Sequence, residues 1–291
     1  MKQDADIYII GYGYVGQLIA QHALAEGRRV HALSRTASRV IAHDGFIHHV
    51  CDIDQAESLQ SVPNMSAAQI IYLAPPPSNS LRDSRVERFL AHMSQQHIRP
   101  SQVLYFSTTA VYADSNGEWI DENTPAAPQT DRGKRRYDAE EQVRNWCESS
   151  ACPWIIFRVT GIYGPGKLPL ERIRKGMTVL REDLAPASNR IFSQDLARAS
   201  LFALRNSQPN EIYNLSDNKP TTMTDYFSRI AQLAGLPAPE RVDWEQARRT
   251  MSPEMISYLV ENKRIKSDKL VRYLGFTLQA TDLETGLKLS I

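Results

Sequence analysis

Three glycines near the start of the chain have a spacing that implies chemistry. They stand in Ile9-Ile10-Gly11-Tyr12-Gly13-Tyr14-Val15-Gly16, after the apolar run Ile7–Ile10 and ahead of a helical pattern. A helix N-terminus offers backbone N–H groups and partial positive charge to a phosphate. In this setting Gly11 permits a tight turn, Gly13 lets the backbone approach a pyrophosphate, and Gly16 lets the helix lie close on its strand. Tyr14 and Val15 add the amides of the first turn. The order of strand, glycine loop and helix reads as a dinucleotide site.

The end of the second strand candidate bears on which dinucleotide. NAD sites usually close this strand with Asp or Glu, which accepts from the adenosine ribose hydroxyls. Here the run is Ala32-Leu33-Ser34-Arg35-Thr36, with Arg39 further on, and no carboxylate stands there. Ser34 and Arg35 suit a 2′-phosphate, so the reading favours NADP, with NAD as the alternative. The plainer reading makes Arg35 a solvated loop residue. Asp52, after the third strand candidate, is placed to accept from the adenine amino group or to cap the helix beyond it. Ala74 and Pro75, closing the fourth strand, are expected to line the channel toward the nicotinamide.

These residues need a scaffold. Strand-like runs fall at Ile7–Ile10, Arg29–Leu33, Phe46–Cys51, Gln69–Leu73, Val103–Phe106 and Trp154–Phe157, with a later one at Ile212–Leu215. Several are apolar on both faces, as strands buried in a parallel sheet are. Helical patterns alternate with them, clearest at Val15–Glu26, Ser80–Gln96 and Arg135–Glu148. The alternation predicts an α/β fold with a doubly wound parallel sheet. After Gly164-Pro165-Gly166 the pattern shifts to short helices, near Met223–Ala234 and Pro253–Glu261, and proline-bearing linkers. The expected organisation is a core over residues 1–165, with contributions from about 190–216, and a small mixed α/β lobe over 166–291.

Bulk properties exclude several classes. The chain has 291 residues, a net charge of +1 and 42% hydrophobic residues. It has no long-range electrostatic pull on nucleic acid or anionic membrane. No stretch approaches the roughly 20 apolar residues of a membrane span. Cys51, Cys147 and Cys152 lack metal-ligand spacing, and His48 and His49 alternate faces of a strand, so no metal is expected. With no signal-peptide pattern at the start, the reading is a reduced, cytoplasmic protein. The basic run Arg132, Lys134, Arg135, Arg136 lacks interleaved aromatics and suits an anion or solvent rather than nucleic acid.

Val103-Leu104-Tyr105-Phe106-Ser107-Thr108-Thr109-Ala110-Val111-Tyr112 resembles the extended short-chain dehydrogenase/reductase family, of the nucleotide-sugar epimerase and dehydratase type. Glu122-Asn123-Thr124-Pro125, Phe157-Arg158, Gly161-Ile162-Tyr163-Gly164-Pro165-Gly166, Asn189 to Ala197 and Ile212-Tyr213-Asn214-Leu215 extend the resemblance over most of the chain. It implies a Rossmann-like core, a C-terminal substrate lobe, and a catalytic Ser or Thr with Tyr-x-x-x-Lys. Thr108 stands at the hydroxyl position, and a homodimer is the family's usual partner arrangement. The Tyr-x-x-x-Lys is replaced. Gly133 and Ala139-Glu140 hold the register, so Arg132 falls at the tyrosine and Arg136 at the lysine. This resembles an atypical subgroup that keeps the fold without the tyrosine.

An arginine neither gives nor takes a proton usefully near neutral pH. Tyr137 does not substitute, being turned about 100° from Arg136 on a helix. The expected chemistry is therefore an NADP(H)-binding oxidoreductase or epimerase on a small polar or sugar-like substrate. Thr108 orients the substrate oxygen, Arg132 clamps developing negative charge, and Arg136 binds ribose hydroxyls. Tyr112, Tyr163 or a water is the proton donor. The alternative is a non-catalytic NADP(H) sensor. A nucleotide-sugar 6-dehydrogenase is disfavoured, because no cysteine has the glycine-rich neighbours that such a nucleophile needs.

Overall fold

The computed structural model describes residues 5–37 and 41–291; Arg39 lies outside the described residues. The first elements are β1 (Ile7–Ile10), α1 (Tyr14–Ala25), β2 (Val30–Ser34), β3 (Phe46–Val50), α2 (Ala56–Gln60) and β4 (Gln69–Tyr72). They continue with α3 (Ser84–Gln95), β5 (Gln102–Thr108) and α4 (Asp131–Ser149). With strands 154–159 and 211–215 they build a seven-stranded sheet in the order 211–215, 154–159, β5, β4, β1, β2, β3. The pairs β1–β2, β2–β3, β1–β4 and β4–β5 are parallel. The strand order reverses between β1 and β4. In open α/β sheets that crevice is where ligands bind, at the carboxyl ends of the strands.

Strand alternation decides what each face carries. Tyr8, Ile10, Ile70, Tyr72, Val103 and Tyr105 belong to one core with Phe89 and Met93 of α3 and Val143 and Cys147 of α4. Ile9, from the alternate set, faces α1: a Cβ placed on Gly16 would stand 3.1 Å from the Ile9 Cγ2. Burying each such aliphatic side chain contributes about 1.5–3 kcal/mol. The sheet is thus covered on both faces, which is why its strands read as continuous apolar runs.

Helix boundaries follow local chemistry. α3 starts at Ser84, later than the apolar pattern suggests, because Asp83 caps it, accepting from the Arg85 and Val86 amides at 3.0 and 3.1 Å. α4 starts at Asp131, earlier than expected, and so takes in Arg132 as well as Arg136. α2 starts at Ala56 with Gln55 at the cap position, so Asp52 is not a helix cap. Instead Asp52 Oδ1 accepts from the Asp54 amide at 3.1 Å and shapes the turn after β3.

The chain divides into two compact units. The first comprises residues 1–111, 131–158 and 196–213; the second comprises 112–130, 159–195 and 214–291. The second unit therefore takes segments from within the first 165 residues, a division set by contacts rather than by one break after Gly166. It is built on short two-stranded pairings, 161–163 with 190–192 and 178–180 with 240–242. Its core gathers Tyr163, Phe192, Tyr226, Phe227, Ile230 and Leu287. Asp195, fully buried, accepts from the Gln279 and Ala280 amides at 2.7 and 2.8 Å and so fastens the C-terminal segment.

Candidate functional site

The strand ends around the switch point enclose a groove of about 400 Å³. Gly11 and Gly13, Ser34 and Arg35, Asp52, Ala74 and Pro75 all line it, with Thr36, Cys51, Ile53 and Arg85. Seven residues singled out by type and spacing therefore come together in one cavity of the first unit.

Each glycine has its own reason. Gly11 has φ +95°, and a Cβ there would stand 2.6 Å from the Ala74 nitrogen. The turn after β1 thus packs directly on the end of β4. Gly13 is exposed, at φ −93° and ψ −154°, and a Cβ there would meet nothing within 4 Å. No side chain caps α1 at Gly13, and no acidic residue sits in its first turn. Tyr14, Val15 and Gly16 form that turn, whose dipole favours an anion.

At the other end, Ser34 Oγ donates to the Thr36 carbonyl at 2.9 Å and lies 2.9 Å from His48 Nε2. With its proton given to Thr36, Ser34 accepts from the histidine N–H in this arrangement. Burial holds the His48 pKa below its ordinary value. Arg35 is exposed beside them. His48 escaped the sequence reading, which treated it only as half of a metal pair. Register pairs it with Ala32, two residues before Ser34 and on the same face. Among the described residues no group of three or more His, Cys, Asp or Glu is placed to hold a metal ion, and all three cysteines are buried and free.

Thr108, Arg132 and Arg136 are not among the groove-lining residues. Thr108 ends β5, half-buried, and its Oγ1 accepts from the Ala110 amide at 3.3 Å. Arg136 reaches the same strand: Nη1 donates to the Phe106 carbonyl at 2.9 Å and to the Tyr105 hydroxyl at 3.3 Å. Burial pushes the Tyr105 phenol up to about 12, with Arg136 opposing. Arg132 precedes Arg136 by four residues, on the same face of α4.

Two proposed proton donors need correction. Tyr112 is 1% exposed, and its hydroxyl donates to Asn214 Oδ1 at 2.9 Å. Tyr163 is fully buried in the second unit's core, where its ring fills the space beside Gly286. Burial pushes its phenol well above the usual range. Both are packing residues, because the apolar segments around them close over the rings.

Several residues of the motifs that carry the resemblance are scaffold. Glu140 accepts from Arg158 Nε and Nη2 at 3.1 and 2.7 Å, a bidentate pair with side chains 0% and 4% exposed. Asn214 also donates its amide to Glu122 Oε1 at 2.8 Å.

Comparison with known proteins adds the lineage. Residues 7–216 match the family model described as NAD dependent epimerase/dehydratase family. The chain belongs to that family. Among curated proteins it is 27% identical over 143 residues to dTDP-D-glucose 4,6-dehydratase of Homo sapiens, across 46% of this chain and 41% of that protein. The mouse protein of the same name matches at 27% over 138 residues, across 45% of this chain and 39% of that protein. The chain thus spans about two fifths of the length of these relatives. Among solved structures, a functionally unknown conserved protein from Silicibacter pomeroyi superposes with TM-score 0.84 at 26% identity, over 98% of this chain and 97% of the other. UDP-glucuronic acid 4-epimerase from Bacillus cereus in complex with NAD shares the fold, with TM-score 0.75 at 16% identity over 98% and 97%. No described helix is long and apolar enough to cross a membrane.

Proposed function

We propose that this protein is an NADP(H)-binding oxidoreductase or epimerase acting on a small polar or sugar-like substrate. The observation that carries the reading is the groove itself. It joins an uncapped α1 terminus at Gly13 to a β2 end that presents Ser34 and Arg35 without a carboxylate. The open space at Gly13 fits a pyrophosphate, and the tight Gly11–Ala74 contact keeps the two strand ends in place around it. When bound, the nicotinamide supplies a hydride acceptor or donor.

The chain's own residues then have distinct tasks. The first-turn amides and Gly13 receive the diphosphate. Arg35 faces the 2′-phosphate with His48 and Ser34 behind it. Arg136, held on the Phe106 carbonyl, keeps its remaining N–H groups for ribose hydroxyls. Thr108 positions the substrate oxygen, and Arg132 stabilises negative charge that develops on it. With Tyr112 and Tyr163 enclosed, water carries the proton. The same enclosure favours the second reading, a cofactor-sensing protein without turnover.

Fluorescence titration with NADPH and NADH tests the cofactor. NADPH is expected to bind at least tenfold more tightly; tighter NADH binding overturns the assignment to Ser34 and Arg35. Incubation with stereospecifically deuterated NADPH and a panel of carbonyl and sugar substrates separates the two functions. Label that never leaves the cofactor supports the sensor.

A further inference from the structure

Arg85 was not singled out from the sequence, yet it lines the groove. It stands in the first turn of α3, where the Asp83 carboxylate accepts its backbone amide. Its guanidinium makes a two-pronged pair with Asp54, through Nε to Oδ1 at 2.9 Å and through Nη2 to Oδ2. Nη1 donates to the Pro75 carbonyl. One flat cation thus bars the gap between the turn after β3 and the loop after β4. Both anchors are stiff: Asp54 sits in the turn held by Asp52 Oδ1, and Pro75 follows directly on Ala74, whose amide donates to the Ile10 carbonyl at 3.0 Å.

Two arginines reach the Asp54 carboxylate, and they sit differently against the groove. Arg88 already reaches Asp54 Oδ1 at 3.3 Å from the outer side, with its side chain 44% exposed, and it does not line the groove. Arg85 is 17% exposed, and it does. Its hydrogen bond to Asp54, with help from Arg88 and Arg35, holds that carboxyl below the usual range, so the pair stays charged well into acid. A guanidinium fixed in one plane is a stacking surface for an aromatic ring. Asp52, whose place after β3 suits an adenine amino group, lines the same groove as Arg85.

We infer that the Asp54–Arg85–Pro75 bridge is the outer wall of the adenine subsite, with Arg85 a direct binding residue for the base. The inference rests on the dinucleotide reading above. The bridge acts on the adenine, which NADPH and NADH share, so it sets affinity for both and leaves their ratio alone. The ratio belongs to Ser34, Arg35 and His48, at the other side of the base.

The test uses the full-length protein and three variants, each titrated with NADPH and with NADH. Arg85→Ala should weaken both by about tenfold, with the ratio unchanged. Arg85→Lys keeps the charge and the reach to Asp54 but loses the flat surface. It should melt above Arg85→Ala and still lose about fivefold or more for both. Arg88→Ala removes a cation from the same carboxylate and should bind as wild type does. If Arg85→Ala does not fold, Arg85→Lys carries the test. Wild-type affinity in Arg85→Lys overturns the wall, as does a loss confined to NADPH. If the wild-type protein binds neither dinucleotide, the cofactor reading itself fails, an outcome separate from the first two.

Discussion

Alanine at Gly11 and alanine at Gly13 should have opposite effects, although both remove a glycine from one loop. At Gly11 the backbone is left-handed, φ +95°, which costs a non-glycine residue about 1–2 kcal/mol. The new Cβ also meets Ala74 at 2.6 Å from nitrogen and 2.8 Å from Cα, both backbone atoms that cannot swing aside. Overpacking of that kind adds about 1–3 kcal/mol. Gly11→Ala should therefore lose roughly 2–5 kcal/mol of stability. At about 3 °C per kcal/mol the melting temperature should fall by roughly 6–15 °C. Gly13 is extended and meets nothing within 4 Å. Replacing the cap glycine with alanine costs about 0.5–1 kcal/mol, and the stiffer unfolded chain returns about as much. Gly13→Ala should melt within about 2 °C of wild type. Its Cβ then stands where the diphosphate must approach, so NADPH should bind about 100-fold more weakly, the equivalent of about 2.7 kcal/mol. Differential scanning fluorimetry and NADPH titration on the two purified variants suffice. Unchanged NADPH affinity in Gly13→Ala would refute the placement of the diphosphate, and an unchanged melting temperature in Gly11→Ala would refute the packing argument.

Three further outcomes are expected. Glu140→Gln removes the negative charge paired with Arg158 in a buried site, and it should cost about 3–5 kcal/mol by urea unfolding; a loss under 1 kcal/mol contradicts the reading of the pair. Burial raises the Asp217 carboxyl to about 7, with the Lys219 amide and then Arg190 opposing. The fold therefore favours its protonated form, a contribution complete below pH ~4 and lost as pH rises through about 7. Asp217→Asn, which keeps an acceptor for the Lys219 amide, should match wild type near pH 4.5 and exceed it in melting temperature at pH 8; parallel pH profiles would count against it. Arg132→Ala should lower turnover at least 100-fold while leaving the NADPH dissociation constant within about twofold, since an electrostatic clamp of this type contributes about 2.7–4 kcal/mol to the transition state; an unchanged rate removes Arg132 from the site.

The glycine turn and the strand end that line the groove were legible in sequence because their signals are local. Gly11, Gly13 and Gly16 mark one turn and one helix start, and Ser34 and Arg35 directly close a strand. The adjoining wall was not legible. Arg85 lies 31 residues from Asp54 and 10 from Pro75, and only the packing of α3 on the sheet brings the three together. His48 was visible as a residue but not as a neighbour of Ser34, since strand register is a tertiary fact. Tyr112 and Tyr163 failed for the complementary reason. An aromatic hydroxyl looks the same in sequence whether it opens on a cleft or ends in a core, and burial decided it.

By itself, then, the order of residues determined the alternation of strand and helix, the glycine turn and the absence of a carboxylate after β2. These follow from backbone geometry and from side-chain period over a few residues. The tertiary structure alone decided that Glu140 and Arg158 are a buried strut, that Arg136 is fastened to β5, and that a guanidinium bars the groove. Each depends on chain segments distant in sequence meeting at hydrogen-bond range, and the free energy that brings them there comes from the shared core rather than from any one motif.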